Sequence, residues 1–364
     1  FCMLTIQPPF IREYFSTTDL PLPKHIFRSF FLSWEDALWH LLQVYRLPNG
    51  AVILVPEFFC GNVMDHMEDH GLKVVTYRID RYLQPIYTHF VAQLHQLQPS
   101  VVVIFHSVGI TNPLMKRSTQ WISSLIDECL LIEDCVHRII NPTTITFSTA
   151  RHFLIDSLRK VVPIQGSNVY SPTQLPPIPL ATNVATLRYR LGVHAWWSMM
   201  QFCLVLAYYT KISGWRKRLN SVAEWAMIHG YKLIGAISLP SVGNSVLRRL
   251  ADHIDIEAVE KTKTWQANRY MEGVKKLLVS GDFWLPRMEV RDYENLRGFP
   301  LIMCLTIADR FLACMREAGI ILRFELDDSP WSEKQKIVYL PMGLHIHKKD
   351  IAFVLNQLNR FSRT

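Results

Sequence analysis

At 364 residues, with 49% hydrophobic and 19% charged residues, the chain is long and apolar enough for a large core plus a smaller second unit, which excludes a disordered chain. The formal net charge of +8 suits an anionic small-molecule substrate and equally a weak nonspecific attraction to nucleic acid or membrane, but Lys and Arg are scattered, densest at Arg216, Lys217 and Arg218, without the aromatic–basic repeat of an RNA-binding sheet. Cys2, Cys60, Cys129, Cys135, Cys203, Cys304 and Cys314 form an odd, widely spaced set with no CxxC pair, so neither a disulfide framework nor a zinc site is expected and a reducing cytoplasm fits.

The chain opens on Phe1-Cys2-Met3 rather than on a basic start with a long apolar run, so no secretion signal is expected, and a first residue other than Met leaves room for residues before it. The first 25 residues are Pro-rich and aperiodic and read as an extended arm. From Ser33 the pattern becomes helical: an N-cap residue, the acids Glu35 and Asp36 in the first turn, then Ala37, Leu38, Leu41 and Leu42 on one face. Ala51 to Val55 reads as a buried strand ending at Pro56, and Asn62 to His70 as a helix closed by Gly71. Alternation continues with a strand over Leu72 to Tyr77, a helix over Tyr87 to Leu97, a strand over Val101 to Phe105, a helix over Ser118 to Cys129 and a strand over Leu130 to Ile132.

That order predicts an α/β fold with a mostly parallel sheet and helices on both faces. Ligands of such sheets sit beyond the carboxyl ends of the strands, which singles out Pro56 to Cys60, His106 to Gly109 and Glu133 to His137. The run from Ser171 to Leu180 is a Pro-rich linker, and helical patterns follow over about Thr186 to Tyr209 and Ile256 to Leu278. Leu191 to Thr210 is nearly all apolar, but His194, Ser198 and Gln201 interrupt it, so a buried or interface helix is expected rather than a membrane span. The tail carries an apolar run at Leu301 to Leu305, a helix over Asp309 to Ala318, Gly319, and a closing helix over Lys348 to Phe361. The expected organisation is an arm (1–30), a large domain (31–180), a helical linker or insert (181–255) and a small α+β domain (256–364).

Two segments carry chemistry. Leu130-Leu-Ile-Glu-Asp-Cys-Val-His is an apolar strand that delivers Asp134 at its carboxyl end, with His137 close behind. Phe153-Leu-Ile-Asp-Ser-Leu-Arg-Lys is a second strand-like run that ends in Ser157 and Lys160, with Gly166 beyond it. A lysine and a carboxylate at neighbouring strand ends are what pyridoxal-phosphate (PLP) chemistry requires, the lysine to form a Schiff base and the acid to keep the ring nitrogen protonated. Each segment alone also reads as an ordinary strand with a solvated charge, and it is their order and spacing that point to a site.

The same segments resemble the DegT/StrS-like sugar aminotransferases, which are fold-type-I PLP enzymes. Ser33 to Leu38 resembles the family's first-helix signature, Val55-Pro-Glu-Phe-Phe-Cys its "VPxYTC", Phe105-His-Ser-Val-Gly its "HxxG", Leu131 to His137 its "LIEDxAH", Ser157-Leu-Arg-Lys its "FSLRK" and Tyr339-Leu-Pro-Met-Gly its "LPxG". The resemblance implies a seven-stranded, mostly parallel sheet, a homodimer, PLP as cofactor, and amino transfer from glutamate to a keto-sugar, nucleotide-linked. It implies Lys160 as the Schiff-base lysine, Asp134 on the ring nitrogen, His137 near the ring hydroxyl, and Ser157, Ser33 and Trp34 on the phosphate. Phe58 or Phe59 would stack on the ring, and Arg297, before Gly298-Phe-Pro, would bind an anionic group.

There are departures from the family pattern. Glu35 and Asp36 stand where phosphate should bind, the glycine-rich loop after the lysine is reduced to Gly166-Ser167-Asn168, and Leu187-Arg-Tyr-Arg-Leu-Gly is a poor match to the Asn-x-Arg segment of the neighbouring subunit. They keep open a non-catalytic or regulatory relative of the same fold. A sugar dehydratase, where histidine typically replaces the lysine, is disfavoured by Lys160. His345 and His347 read as surface residues rather than metal ligands, and Trp265, Tyr270 and Leu277 as core.

Overall fold

A computed structural model of the chain describes residues 4–178, 184–235 and 239–362. Cys2 and the last residues of the Pro-rich linker lie outside the described residues.

The Pro-rich arm does not stand free. Leu4 pairs with Ile320, and Tyr14, inside a single 3-10 turn at Arg12–Tyr14, is fully buried. Then follow β1 (Phe27–Phe31), α1 (Trp34–Val44), β2 (Val52–Pro56), α2 (Gly61–Asp69), β3 (Lys73–Tyr77), α3 (Tyr87–Leu97) and β4 (Val101–Phe105). Two single turns, α4 (Pro113–Lys116) and α5 (Ser118–Trp121), lead to β5 (Leu130–Asp134), β6 (His152–Ile155) and β7 (Ser167–Ser171). Beyond the linker lie α6 (Val184–Tyr209), α7 (Ser213–Leu233), α8 (Ser245–Asp252), α9 (Ile256–Leu278), β8 (Phe283–Trp284), β9 (Phe299–Met303), α10 (Leu305–Glu317), β10 (Lys336–Leu340) and α11 (Lys348–Phe361).

β1 to β7 form a seven-stranded sheet in the order β1-β7-β6-β5-β4-β2-β3. The pairs β2–β3, β2–β4, β4–β5 and β5–β6 are parallel, while β7 runs antiparallel to both β6 and β1. The central strands VVVIF and LLIED are buried along their whole length, as a sheet covered on both faces requires. In register, Phe105 lies beside Asp134 and Asp134 beside Ile155, so the carboxyl ends of three strands open on one edge. The smaller unit is the antiparallel sheet β10-β9-β8, packed by α9, α10 and α11. This is the mostly parallel α/β sheet with a smaller α+β unit that the sequence predicts.

Several expectations change. Ser118 to Cys129 is not one helix: the α5 turn ends at Trp121, a 3-10 turn follows, and Leu125 is extended. Trp121 is fully buried and its indole N–H donates to the Leu114 carbonyl at 2.9 Å, an anchor that overrides the weak local helical pattern. β1 and β7 were not visible in the pattern. The residues of β7 are largely polar, yet all are buried, because Asp156 accepts from the Asn168 backbone N–H at 2.6 Å and from its side-chain amide at 2.9 Å. His345 is buried rather than at the surface, joined to the Tyr14 hydroxyl at 3.0 Å and the Thr5 carbonyl at 3.1 Å, while His347 is exposed. Tyr270 and Leu277 are core and Trp265 is half-buried.

α6 packs lengthwise on α7 through Met200, Cys203, Leu204 and Ala207 against Ala223 and Ala226. Among the described residues no helix is long and apolar enough to cross a membrane.

Candidate active site

A cavity of about 700 Å³ opens beyond the carboxyl edge of the large sheet, walled by the start of α1, the start of α2, the inner face of α7 and the segment from Ile321 to Asp328. Lys160, Glu35, Cys60, Tyr231, Arg297 and Tyr339 all line it. Lys160 ends a 3-10 turn, Leu158–Lys160, hung from the end of β6, with its backbone N–H bonded to the Ser157 carbonyl at 3.1 Å. Among the described residues no hydrogen bond or ion pair engages its ammonium.

Asp134 ends β5 next door. It is 3% exposed and accepts the Val136 N–H at 3.1 Å. Burial pushes its acid up to about 7, against the pull of the nearby Lys160 cation, and Glu35 adds to the rise. The amine and the acid are thus within electrostatic reach of each other at neighbouring strand ends. Their neighbour Glu133, on the other side of β5, faces away: its carboxylate sits 2.6 Å from His106 Nε2 and 2.8 Å from His152 Nε2, tying β5 to the elements on either side.

His137 is fully buried, its Nδ1 accepting the Val108 N–H at 3.2 Å, which leaves the proton on Nε2, 3.2 Å from Glu325. Burial and the Lys160 charge push its pKa down to about 3, so the ring is neutral. Val108, a β-branched residue, holds φ at 67°, and the Arg297 N–H bonds to its carbonyl at 2.9 Å. Backbone strain of this kind concentrates at functional edges. Gly109 follows at φ 101°, where a Cβ would lie 2.1 Å from the Asn295 carbonyl oxygen, so no other residue fits.

Arg297 is buried and forms a 2.5 Å pair with Glu325. Burial opposes ionisation of Glu325, but Arg297 and His137 overcome it and hold the acid below its usual range. Tyr231 experiences a similar contest: burial raises its phenol, but Arg159, Lys160 and Arg297 together lower it, and the Arg159 guanidinium stands 4.8 Å over its ring.

The start of α1 shows how two adjacent acids are treated differently. Ser33 caps the helix, accepting the Asp36 N–H at 3.1 Å and donating to the Asp36 carboxylate at 2.7 Å. Asp36 turns back from the cavity, accepting also from the Tyr189 hydroxyl at 3.0 Å and the Ser241 N–H at 2.8 Å. Glu35 instead lines the cavity, and its Oε2 is buried without a hydrogen-bond partner among the described residues. Trp34 is buried and meets Phe59 edge-on at 5.9 Å.

The other predicted site residues are placed as follows. Ser157 is buried just before Lys160. Phe58 and Phe59 are buried in a cluster with Phe105, Trp34 and Trp331, and neither borders the cavity. Of the predicted residues Lys160 and Arg297 line the cavity, joined there by Cys60, Tyr231, Glu325 and Tyr339, whereas Asp134, His137, Ser157, Ser33 and Trp34 are buried and do not line it. Cys60 has its thiol pushed up to about 12 by burial and by Asp328. Of these, Cys60 and Tyr339 stood in motif-like segments, whereas Tyr231 and Glu325 lie in stretches with no local signal.

PLP, the cofactor that the resemblance implies, finds a free buried-edge amine and a proton-holding acid at its ring end. At the end where the phosphate would lie, the start of α1, the residue that lines the cavity is Glu35, while Ser157 is buried outside its lining. The amine and the acid fit the ring end, whereas the Glu35 carboxylate at the start of α1 does not fit a phosphate.

No family model matches the chain. No curated protein matches it. Solved structures do. A protein described as a sugar aminotransferase from Streptococcus pneumoniae, in its PMP form, aligns at 11% identity over 99% of both chains with a TM-score of 0.59. DesV from S. venezuelae, in complex with a ketimine intermediate, aligns at 11% identity over 93% of this chain and 85% of its own, TM-score 0.57. A DegT DnrJ EryC1 StrS aminotransferase from Brucella abortus aligns at 12% identity over 93% of this chain and 86% of its own, TM-score 0.56. With its seven-stranded sheet, antiparallel second sheet and strand-end site, the chain has the fold of the fold-type-I PLP-dependent aminotransferases.

Proposed function

We propose that this chain is a PLP-dependent sugar aminotransferase of the DegT/StrS-like group, moving an amino group from glutamate to a keto-sugar, nucleotide-linked. The observation that carries it is the pairing of an unengaged Lys160 ammonium in the cavity with the buried, proton-holding Asp134 on the adjacent strand. The substrate class rests on the sequence resemblance and on the names of the solved neighbours.

When bound, the cofactor supplies an electron sink for the carbon losing its proton. Lys160 would hold it covalently and, once released, carry a proton at Nζ from one carbon to the next. Asp134, in a site that already favours its protonated form, would share a proton with the ring nitrogen. Arg297 would face the donor's carboxylate, and the α7 wall would exclude water.

A homodimer belongs to the same reading. Val184, Leu187, Leu191, Phe202, Leu206 and Tyr209 recur at helical spacing along α6 and are exposed, an apolar stripe suited to a second copy. A second reading, a non-catalytic scaffold, is favoured by the Glu35 carboxylate at the phosphate end.

The test is direct. Protein incubated with PLP should gain a visible absorption band, borohydride should fix the label at Lys160 in a peptide map, and glutamate with a keto-sugar nucleotide should yield 2-oxoglutarate. Lys160→Ala should show none of these. A folded, colourless wild type would favour the scaffold.

A further inference from the structure

We infer that Glu35 makes the α1 end of this cavity select a ring aldehyde without a phosphate over its phosphorylated form, an inference that rests on the reading of Lys160 as the aldehyde-binding amine. The start of an eleven-residue helix is ordinarily a favourable place for an anion. Here the donors of that place are already engaged by the chain's own acid. Asp36 uses the capping hydroxyl of Ser33, the Tyr189 hydroxyl and the Ser241 N–H, so these donors serve the chain's own carboxylate.

Glu35 is the independent observation. It is 9% exposed, it lines the same cavity as Lys160 and Cys60, and one of its carboxylate oxygens is buried with no donor among the described residues. Its field reaches across the site, since it raises both the Asp134 acid and the Cys60 thiol. A buried acceptor without a partner is costly, and what relieves it is a donor. A hydroxymethyl group, as carried by pyridoxal, donates an O–H to that carboxylate. A phosphate ester brings up to two negative charges against that largely buried carboxylate, where Coulomb repulsion at contact distance exceeds its value in bulk water. Trp34, packed on Phe59, fills room at the same turn.

Equilibrium dialysis with pyridoxal and with PLP, on the full chain, tests this. Wild type should retain pyridoxal at lower concentration than PLP. Glu35→Gln should reverse the order, tightening PLP by at least about tenfold, and inorganic phosphate should compete with PLP in that variant but not displace pyridoxal from wild type. Glu35→Ser provides the same removal of charge should the glutamine variant fail to fold, with circular dichroism as the check. A wild type that holds PLP more tightly than pyridoxal, with the ratio unmoved in both variants, would overturn the selection while leaving Lys160 in its role. Retention of neither aldehyde, or retention unaffected by Lys160→Ala, would overturn the amine's role and this inference together.

Discussion

Asp134 is the residue whose environment can be read out most directly. Its acid is raised from an ordinary 3.8 to about 7, first by burial. A raised acid means that the folded state keeps a proton the unfolded chain has already released between those two values, so stability is lost as pH rises from about 4 to about 7. Asp134→Asn has no such proton to lose. Relative to wild type it should therefore gain stability from pH 5 to pH 7, by up to about 1.4 kcal/mol per pH unit, in urea unfolding of the ligand-free protein. A difference that stays flat across that range would mean that Asp134 is ionised in the fold. The same variant should lose amino transfer, because an amide cannot hold positive charge on a ring nitrogen.

At the scale of elements, α1 and α6 carry the clearest consequences. The first turn of α1 is stitched to α6 by the Tyr189 hydroxyl and to the loop after α7 by the Ser241 N–H. Tyr189→Phe leaves Asp36, whose acid burial has pushed to about 7, with one donor fewer, and should cost about 1 kcal/mol in thermal or urea unfolding. The α6 stripe makes a different prediction. Leu191→Glu with Phe202→Glu places charges on exposed positions of the helix, so the fold should persist while light scattering reports a monomer in place of a dimer. A wild type that is already monomeric at micromolar concentration would remove that role from the stripe.

At the scale of the whole molecule, the two units are joined at the site itself. His137 follows a strand of the large sheet, whereas Arg297 precedes β9 and Glu325 precedes β10 in the small unit. The Glu325 carboxylate holds both, and Arg297 also binds the carbonyl of the strained Val108. Glu325→Ala leaves a buried guanidinium without its counter-charge and should cost about 3–5 kcal/mol, read by urea unfolding. A loss below about 1 kcal/mol would show that Arg297 finds another partner or water. The site is thereby a junction that stabilises the molecule as well as a cavity, so substitutions in it need a folding control before any change in activity is interpreted.

The local sequence by itself determined the elements that are long, apolar or clearly capped: Tyr87–Leu97, Val101–Phe105 and Lys348–Phe361 have the bounds the pattern predicts, and Ser33 caps α1 as its type and position require. It also placed Lys160 and Asp134 at successive strand ends, because an apolar run that stops at a charge marks where a buried strand leaves the sheet. Only the tertiary structure decided what those neighbours do. β7 is a buried strand made largely of polar residues because Asp156 takes the Asn168 donors and the Thr173 carbonyl takes the Ser171 hydroxyl, and Ser118 to Cys129 fails to form one helix because Trp121 has an anchor elsewhere. Adjacent acids at one helix start meet opposite fates because Asp36, besides Ser33, has donors 153 and 205 residues away, while Glu35 Oε2 has no hydrogen-bond partner among the described residues. Periodicity reports how one element is buried, but the direction of a carboxylate depends on donors that the fold brings from distant parts of the chain.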